Sequence, residues 1–165
     1  MIEHQRNVAI IFTFLYTGIR LSELQNLKTY EVNFNECSIF IHKGKGAKDR
    51  YVPIHPKLFS ILNSYLRTRN QKLAASKYFF TSYRTEKRLT KKNIYTIFKK
   101  LSIACDIHIT PHMLRHTMAK LSLEANLNAY KLKEILGHSN IATTQIYMSV
   151  STENIRKSFN VLELL

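Results

Sequence analysis

Apolar residues recur at helical spacing through the first seventeen positions. Val8, Ile11, Phe12 and Leu15 return every three or four residues, the period of one helix face, and predict a helix from about Glu3 to Thr17. Gly18 ends it. A second, short helix is expected near Ser22, an acceptable N-cap, carrying Glu23, Leu24 and Leu27. The period then changes. Ser38 to His42 alternates, with Ile39 and Ile41 apolar, and reads as a strand. Arg50 to Ile54 reads as the returning strand of a β-hairpin whose tip, Lys43 to Asp49, is basic and contains Gly44 and Gly46. Pro53 and Pro56 suit an edge strand and a following helix start.

Helical spacing resumes over Lys57 to Arg69, with Leu58, Ile61, Leu62, Tyr65 and Leu66 apolar. Tyr78 to Thr81 is a candidate short strand. Thr90 to Cys105 is amphipathic, with Ile94, Ile97, Phe98 and Leu101 on one face and Lys91, Lys92, Lys99 and Lys100 beside it. Thr110 and Pro111 open a helix to about Ala125, with proline in the first turn where its missing N–H costs nothing. Helices are expected over Ala129 to Leu136, Ile141 to Met148 and Thr152 to Leu162, with Gly137 as a C-cap. The pattern holds no repeat, low-complexity segment or linker. It predicts an α+β fold, mainly α-helical, with a small antiparallel β-sheet.

Composition agrees with one folded domain. The 165 residues are 45% hydrophobic and 22% charged, which excludes a disordered or fibrous chain. Cys37 and Cys105 are too few for a disulfide framework and read as free thiols of a reducing cytoplasm. No apolar run approaches the roughly 18 residues that a membrane span needs, and no secretory signal is evident.

Charge changes the picture. The net charge is +14, and residues 43–100 carry sixteen Lys/Arg against two Asp/Glu, while the flanking thirds are nearly neutral. Such a concentration suits a polyanionic partner, since neutralising phosphates releases counterions. A solvated basic surface or an anionic membrane surface would account for the charge alone.

Four segments hold the candidate chemistry. They are Thr17-Gly18-Ile19-Arg20-Leu21-Ser22-Glu23-Leu24, Lys43-Gly44-Lys45-Gly46, His112-Met113-Leu114-Arg115-His116 and Leu136-Gly137-His138-Ser139, with Tyr147 nine residues after His138. His112 and Arg115, three apart on a predicted helix, share a face and can grip one ligand. Each residue also suits a plainer role: Arg20 at the surface, His112 as a cap, Arg115 solvated, His138 packed, Tyr147 one of nine tyrosines.

In this order, over Val8 to Phe159, the motifs resemble those of the tyrosine recombinase (integrase) family, its bacterial and mobile-element branch above all. The resemblance implies the family's catalytic-domain fold and a site-specific recombinase that cleaves and rejoins DNA through a 3′-phosphotyrosyl bond. It implies that Arg20 and Arg115 hold the scissile phosphate and that Lys45 acts as general acid. His112 and His138 would activate or hydrogen-bond, and Tyr147 would be the nucleophile. Glu23 and His116 would support the site. The chemistry asks for these residue types. Guanidiniums bind phosphoryl oxygens bidentately and stay charged, stabilising the charge that develops in the transition state. A phenol, with a pKa near about 10, needs help to lose its proton, and the leaving 5′ oxygen needs one. The phosphotyrosyl bond conserves the energy, so no ATP is required, and no cluster suits a metal. No cofactor is therefore expected.

The resemblance also gives the basic third a role. Lys43, Lys48, Arg50, Lys87, Arg88, Lys91 and Lys92 are the expected DNA-binding residues; Arg67, Arg69 and Lys72 are weaker candidates. The expected partners are double-stranded DNA and, for the full-length family member, further copies in a tetrameric synapse. No membrane partner is expected, and the expected location is the bacterial cytoplasm, in association with the nucleoid. Residues 1–165 are expected to form the catalytic domain, without the family's usual N-terminal core-binding domain, and residues 152–165 a tail helix packing in cis or in trans. Other readings are a type IB topoisomerase, a DNA-binding fragment inactive alone, and a generic basic helical domain for which the motifs would be accidents.

Overall fold

The computed structural model describes residues 2–42, 49–73, 76–82 and 85–137. The helices are α1 (Ile2–Thr17), α2 (Leu21–Asn26), α3 (Pro56–Leu73), α4 (Lys91–Cys105), α5 (Pro111–Glu124) and α6 (Ala129–Leu136), and the strands β1 (Val32–Asn33), β2 (Ser38–Ile41) and β3 (Arg50–Pro53). The mainly helical α+β expectation holds. The predicted helices over 141–148 and 152–162 lie outside the described residues.

The strands form one antiparallel sheet in the order β1-β2-β3, with Ile39 opposite both Val32 and Val52. Alternation puts Ile39, Ile41 and Val52 into the core. Pro53 pairs with Ser38 on the edge strand, where a missing donor is tolerated. β1 escaped the sequence reading because two residues carry no period. Tyr78 and Thr81 form isolated bridges to Lys28 and Arg88 instead of a strand.

α1 departs from the expected face. Its buried residues are Arg6, Ala9, Ile10, Thr13, Phe14 and Thr17, whereas Val8, Ile11, Phe12 and Leu15 are half-buried. The helix packs against both α3 and α5, so apolar residues line most of its circumference and no single stripe marks the core. Two threonines sit in the dry face because each hydroxyl donates to the carbonyl one turn back: Thr13 to Ala9 at 2.6 Å and Thr17 to Thr13 at 2.5 Å.

α4 and α5 begin where the sequence places them. Thr90 and Thr110 are their N-caps, with side-chain oxygens accepting from Asn93 N and Met113 N. α6 is only eight residues long, too short to persist alone. Leu132 and Leu136, both fully buried with Met118 and Ala119 of α5, each contribute about 1.5–3 kcal/mol and hold it in place. α6 also touches β3.

Arg69, a weaker DNA-binding candidate on sequence, is instead a buried structural residue. It is 1% exposed and donates to the carbonyls of Ser76 and Tyr78, the latter at 2.7 Å. Cys37 and Cys105 are separate, exposed thiols. Among the described residues no helix is long and apolar enough to cross a membrane.

Candidate active site

The site forms where the start of α2, the first turns of α5, the end of α6 and strand β3 converge. α1 stops at Gly18, whose φ of +60° favours glycine. A side chain there would also be blocked: a Cβ would lie 2.6 Å from Leu136 Cδ2 and 3.2 Å from Met118 Sδ. Gly18 is thus the point where the chain passes against α5 and α6.

Arg20, not Ser22, is the N-cap of α2. The Glu23 carboxylate reaches back to accept the Arg20 backbone N–H at 2.8 Å, one half of a capping box. It also accepts from Arg20 Nη1 at 3.1 Å. The three-residue spacing brings this pair together, and the Arg20 side chain keeps 39% of its surface exposed.

Arg50, grouped on sequence with the DNA-contacting bases, is turned inward, its side chain only 9% exposed. Nη1 and Nη2 donate to the two oxygens of Glu23 at 2.8 and 2.7 Å, and Nε donates to the Ile135 carbonyl at 2.7 Å. Such a two-bonded pair is the strong form of arginine–carboxylate contact. Burial alone would push the Glu23 carboxyl up; the Arg50 hydrogen bonds, the Arg20 backbone N–H and both guanidinium charges outweigh it and hold the carboxyl below its ordinary 4.5. Glu23 also lines a cleft of about 370 Å³ with Lys28, Glu31 and His42.

Arg115 is buried. It donates to the Gly18 carbonyl and, at 2.8 Å, to the Leu136 carbonyl. Arg20 Nη2 donates to the Gly137 carbonyl at 2.8 Å. The last carbonyls of a helix have no partner within it. Here Ile135, Leu136 and Gly137 receive N–H groups from Arg50, Arg115 and Arg20 in turn. The negative end of the α6 dipole favours these cations. Within this hydrogen-bonded cluster three guanidiniums face one described carboxylate, leaving positive charge suited to an anionic ligand.

His112 and Arg115, expected to share one ligand, part company in burial: His112 is exposed and Arg115 is not. The His112 imidazole meets His116 one turn on, Nε2 to Nε2 at 2.8 Å. At that distance one ring donates and the other accepts. Burial, then the His112 ring, then Arg115 hold the His116 pKa below 6.5.

Lys87, Arg88, Lys91 and Lys92 are all exposed. Arg88 also donates to Asn26 Oδ1 at 2.5 Å, and Lys91 and Lys92 open α4, the helix end that attracts anions. Lys43, Lys45, Lys48, His138 and Tyr147 lie outside the described residues. The structure therefore brings together Arg20, Glu23 and Arg115, with His112 and His116 on the same helix as Arg115. Sequence reasoning missed the inward role of Arg50, for which no local signal exists, since its partners lie 27 and 85 residues away.

Among known proteins, residues 3–154 match the Phage integrase family. The chain belongs to that family. Its relatives include the tyrosine recombinase XerA of Thermococcus onnurineus, 42% identical over 152 residues, covering 90% of this chain and 53% of the relative. The tyrosine recombinase XerC of Bacillus pumilus is 36% identical, covering 94% and 53%. The chain thus spans about half the length of the curated relatives it matches. Among solved structures, a XerA recombinase superposes with a TM-score of 0.84 at 35% identity, over 94% of this chain and 57% of the other. A XerH recombinase bound to palindromic difH substrate, in a post-cleavage complex, gives 0.79 at 26% identity, over 96% and 46%. The catalytic domain of bacteriophage HP1 integrase gives 0.62 at 28% identity and is covered over 82% of its length. This integrase-family chain has the fold of tyrosine recombinase catalytic domains.

Proposed function

We propose that this chain is the DNA-cleaving and rejoining domain of a site-specific tyrosine recombinase. One observation carries the reading. Arg20 and Arg115, 95 residues apart in sequence, donate to neighbouring carbonyls at one helix end, in a chain whose relatives bear the name tyrosine recombinase. Two guanidiniums so placed, one still partly exposed, suit the non-bridging oxygens of a phosphodiester.

The mechanism follows from charge and proton balance. The Tyr147 phenolic oxygen attacks phosphorus and gives up its proton to a neighbouring base, for which His112 and His138 are the candidates. The bond from phosphorus to the 5′ oxygen breaks as Lys45 supplies a proton to the leaving oxygen. Arg20 and Arg115 stabilise the charge on the phosphoryl oxygens. The product is a 3′-phosphotyrosyl bond and a free 5′-hydroxyl, and attack by another 5′-hydroxyl reverses the step. Glu23 and His116 support the site. Lys43, Lys48, Lys87, Arg88, Lys91 and Lys92 contact phosphates. Recombination requires several copies on DNA, a tetrameric synapse in the assembled enzyme, with residues 152–165 packing in cis or on a neighbour.

The test is covalent trapping on a nicked duplex drawn from a pool of candidate sites, with the chain and with Tyr147→Phe. A denaturation-resistant adduct made only by the tyrosine form is expected. An adduct that persists in Tyr147→Phe rejects that nucleophile, and no adduct at all, with an N-terminal DNA-gripping domain from a relative supplied in trans, rejects the enzymatic reading.

A further inference from the structure

We propose that Arg50 is a positioning residue for strand cleavage, holding the phosphate-binding arginines in register with the end of α6 without touching DNA. This rests on the recombinase reading above.

An arginine in a basic hairpin five residues after Lys45 would by default be assigned to DNA. Its geometry points elsewhere. Its side chain is nine-tenths buried, and Nε, Nη1 and Nη2 all donate inward. The two carboxylate oxygens it grips belong to Glu23, which in turn holds both the backbone N–H and the guanidinium of Arg20. The carbonyl it grips, Ile135, precedes the two taken by Arg115 and Arg20. Arg50 therefore fixes both ends of the Arg20 contact: the carboxylate on one side and the helix terminus on the other. His138 follows that terminus directly in sequence, and β3 continues from the hairpin that bears Lys45. One buried guanidinium ties β3 to the start of α2 and the end of α6, the segments that carry Arg20 and lead in sequence to Lys45 and His138.

A lysine cannot reproduce this, because it lacks the planar fork that meets two oxygens and a carbonyl at once. The charged groups that face Glu23 are Arg20 from its own helix end and Arg50 from β3, with Lys28, Glu31 and His42 lining the cleft beside it.

The experiment compares the full chain with Arg50→Lys, Arg50→Met and Glu23→Gln, each used below its own unfolding temperature. Three quantities are read: the salt dependence of duplex binding, the rate of adduct formation on saturating nicked duplex, and the pH profile of that rate. The expected result is an unchanged salt slope and a rate at saturation lowered by about tenfold to a hundredfold, the range for small misplacement of reacting groups. The acid limb should move to higher pH in Arg50→Met, as Glu23 loses the partner that holds its carboxyl down, and Arg50→Lys should recover part of that limb but little of the rate. A salt slope reduced by about one, with an unchanged rate at saturation, would make Arg50 a phosphate contact and overturn the proposal. So would an unchanged rate and pH profile. If the unsubstituted chain forms no adduct even with an N-terminal DNA-gripping domain supplied in trans, the recombinase reading fails; the inward role of Arg50 is then decided by the Glu23 carboxyl titration, followed by NMR, which should move upward in Arg50→Met and, if it does not move, rejects that role.

Discussion

A methyl group on Gly137 would lie 2.8 Å from Nη1 of Arg50 and 3.0 Å from its Cζ. Gly137 also holds φ at +64° as the C-cap of α6. The glycine is required twice, by the backbone and by the guanidinium packed over it. Gly137→Ala should therefore cost about 1–2 kcal/mol in backbone strain, plus the displacement of Arg50 from Glu23. Urea unfolding measures the sum as a lower midpoint at unchanged slope. Gly137→Asn separates the two causes, since asparagine tolerates this backbone but keeps the Cβ. Equal losses would show that the collision dominates; recovery in the asparagine variant would show that strain does.

The Glu23–Arg50 pair predicts an acid-sensitive stability. The folded carboxyl titrates below its ordinary 4.5, so between the two values the unfolded chain binds more protons. The contribution of the pair is full above the ordinary value and is lost as pH falls through the folded one. Glu23→Gln should cost about 3–5 kcal/mol at neutral pH, the range for breaking a buried ion pair by removing one partner. Its stability curve should approach that of the original chain as pH drops below 4.5. A gap that stays constant across that range would mean that the Glu23 charge contributes nothing to stability.

The His112–His116 contact, together with burial, makes His116 harder to protonate than a free imidazole. The His116 imidazole should titrate below 6.5, and His112→Asn should raise its midpoint by removing one neighbouring imidazole. NMR of the ring carbons reads both. The sign for stability is set by linkage: below 6.5 the unfolded chain takes up this proton more readily, so the folded state loses ground as pH falls toward the lower, folded value. A His116 midpoint unchanged by His112→Asn would show that the two rings do not interact in solution.

The basic third should divide into two classes under substitution. Lys87→Gln and Lys91→Gln should each flatten the salt dependence of duplex binding by about 0.9 while changing stability by less than about 0.5 kcal/mol, as at other exposed positions. Arg69→Met should do the opposite, leaving the salt slope intact and costing about 1–3 kcal/mol for the buried carbonyls of Ser76 and Tyr78 that lose their donor. Paired binding and unfolding titrations check the division. A salt slope lowered by Arg69→Met would place that residue on the DNA face after all.

Much of the framework was legible because its signals are local. Thr90 and Thr110 bond within their own first turns, and the alternation of Ile39 and Ile41 is a property of adjacent residues. Gly137 announces the end of α6 by conformation alone, and the spacing of Arg20 and Glu23 is short enough to predict their contact. α1 was legible as a helix but not as to its core face. Which of its sides is driest depends on α3 and α5 closing over it, and the two back-bonded threonines carry no apolar signal.

Arg50 marks the limit. Its chain neighbours are the polar tip of a hairpin, and nothing local separates it from Lys87 or Lys91. Its partners stand 27 and 85 residues away. A guanidinium's fate depends on whether folding delivers a carboxylate and a carbonyl to it or leaves it in water. The sequence by itself determined the longer elements, the N-caps of α4 and α5, the C-cap of α6 and the order of the motifs, since each rests on near neighbours. Only the tertiary structure decided which cations face solvent and which bind the site together, because the burial of a charge is settled by groups brought from elsewhere in the chain.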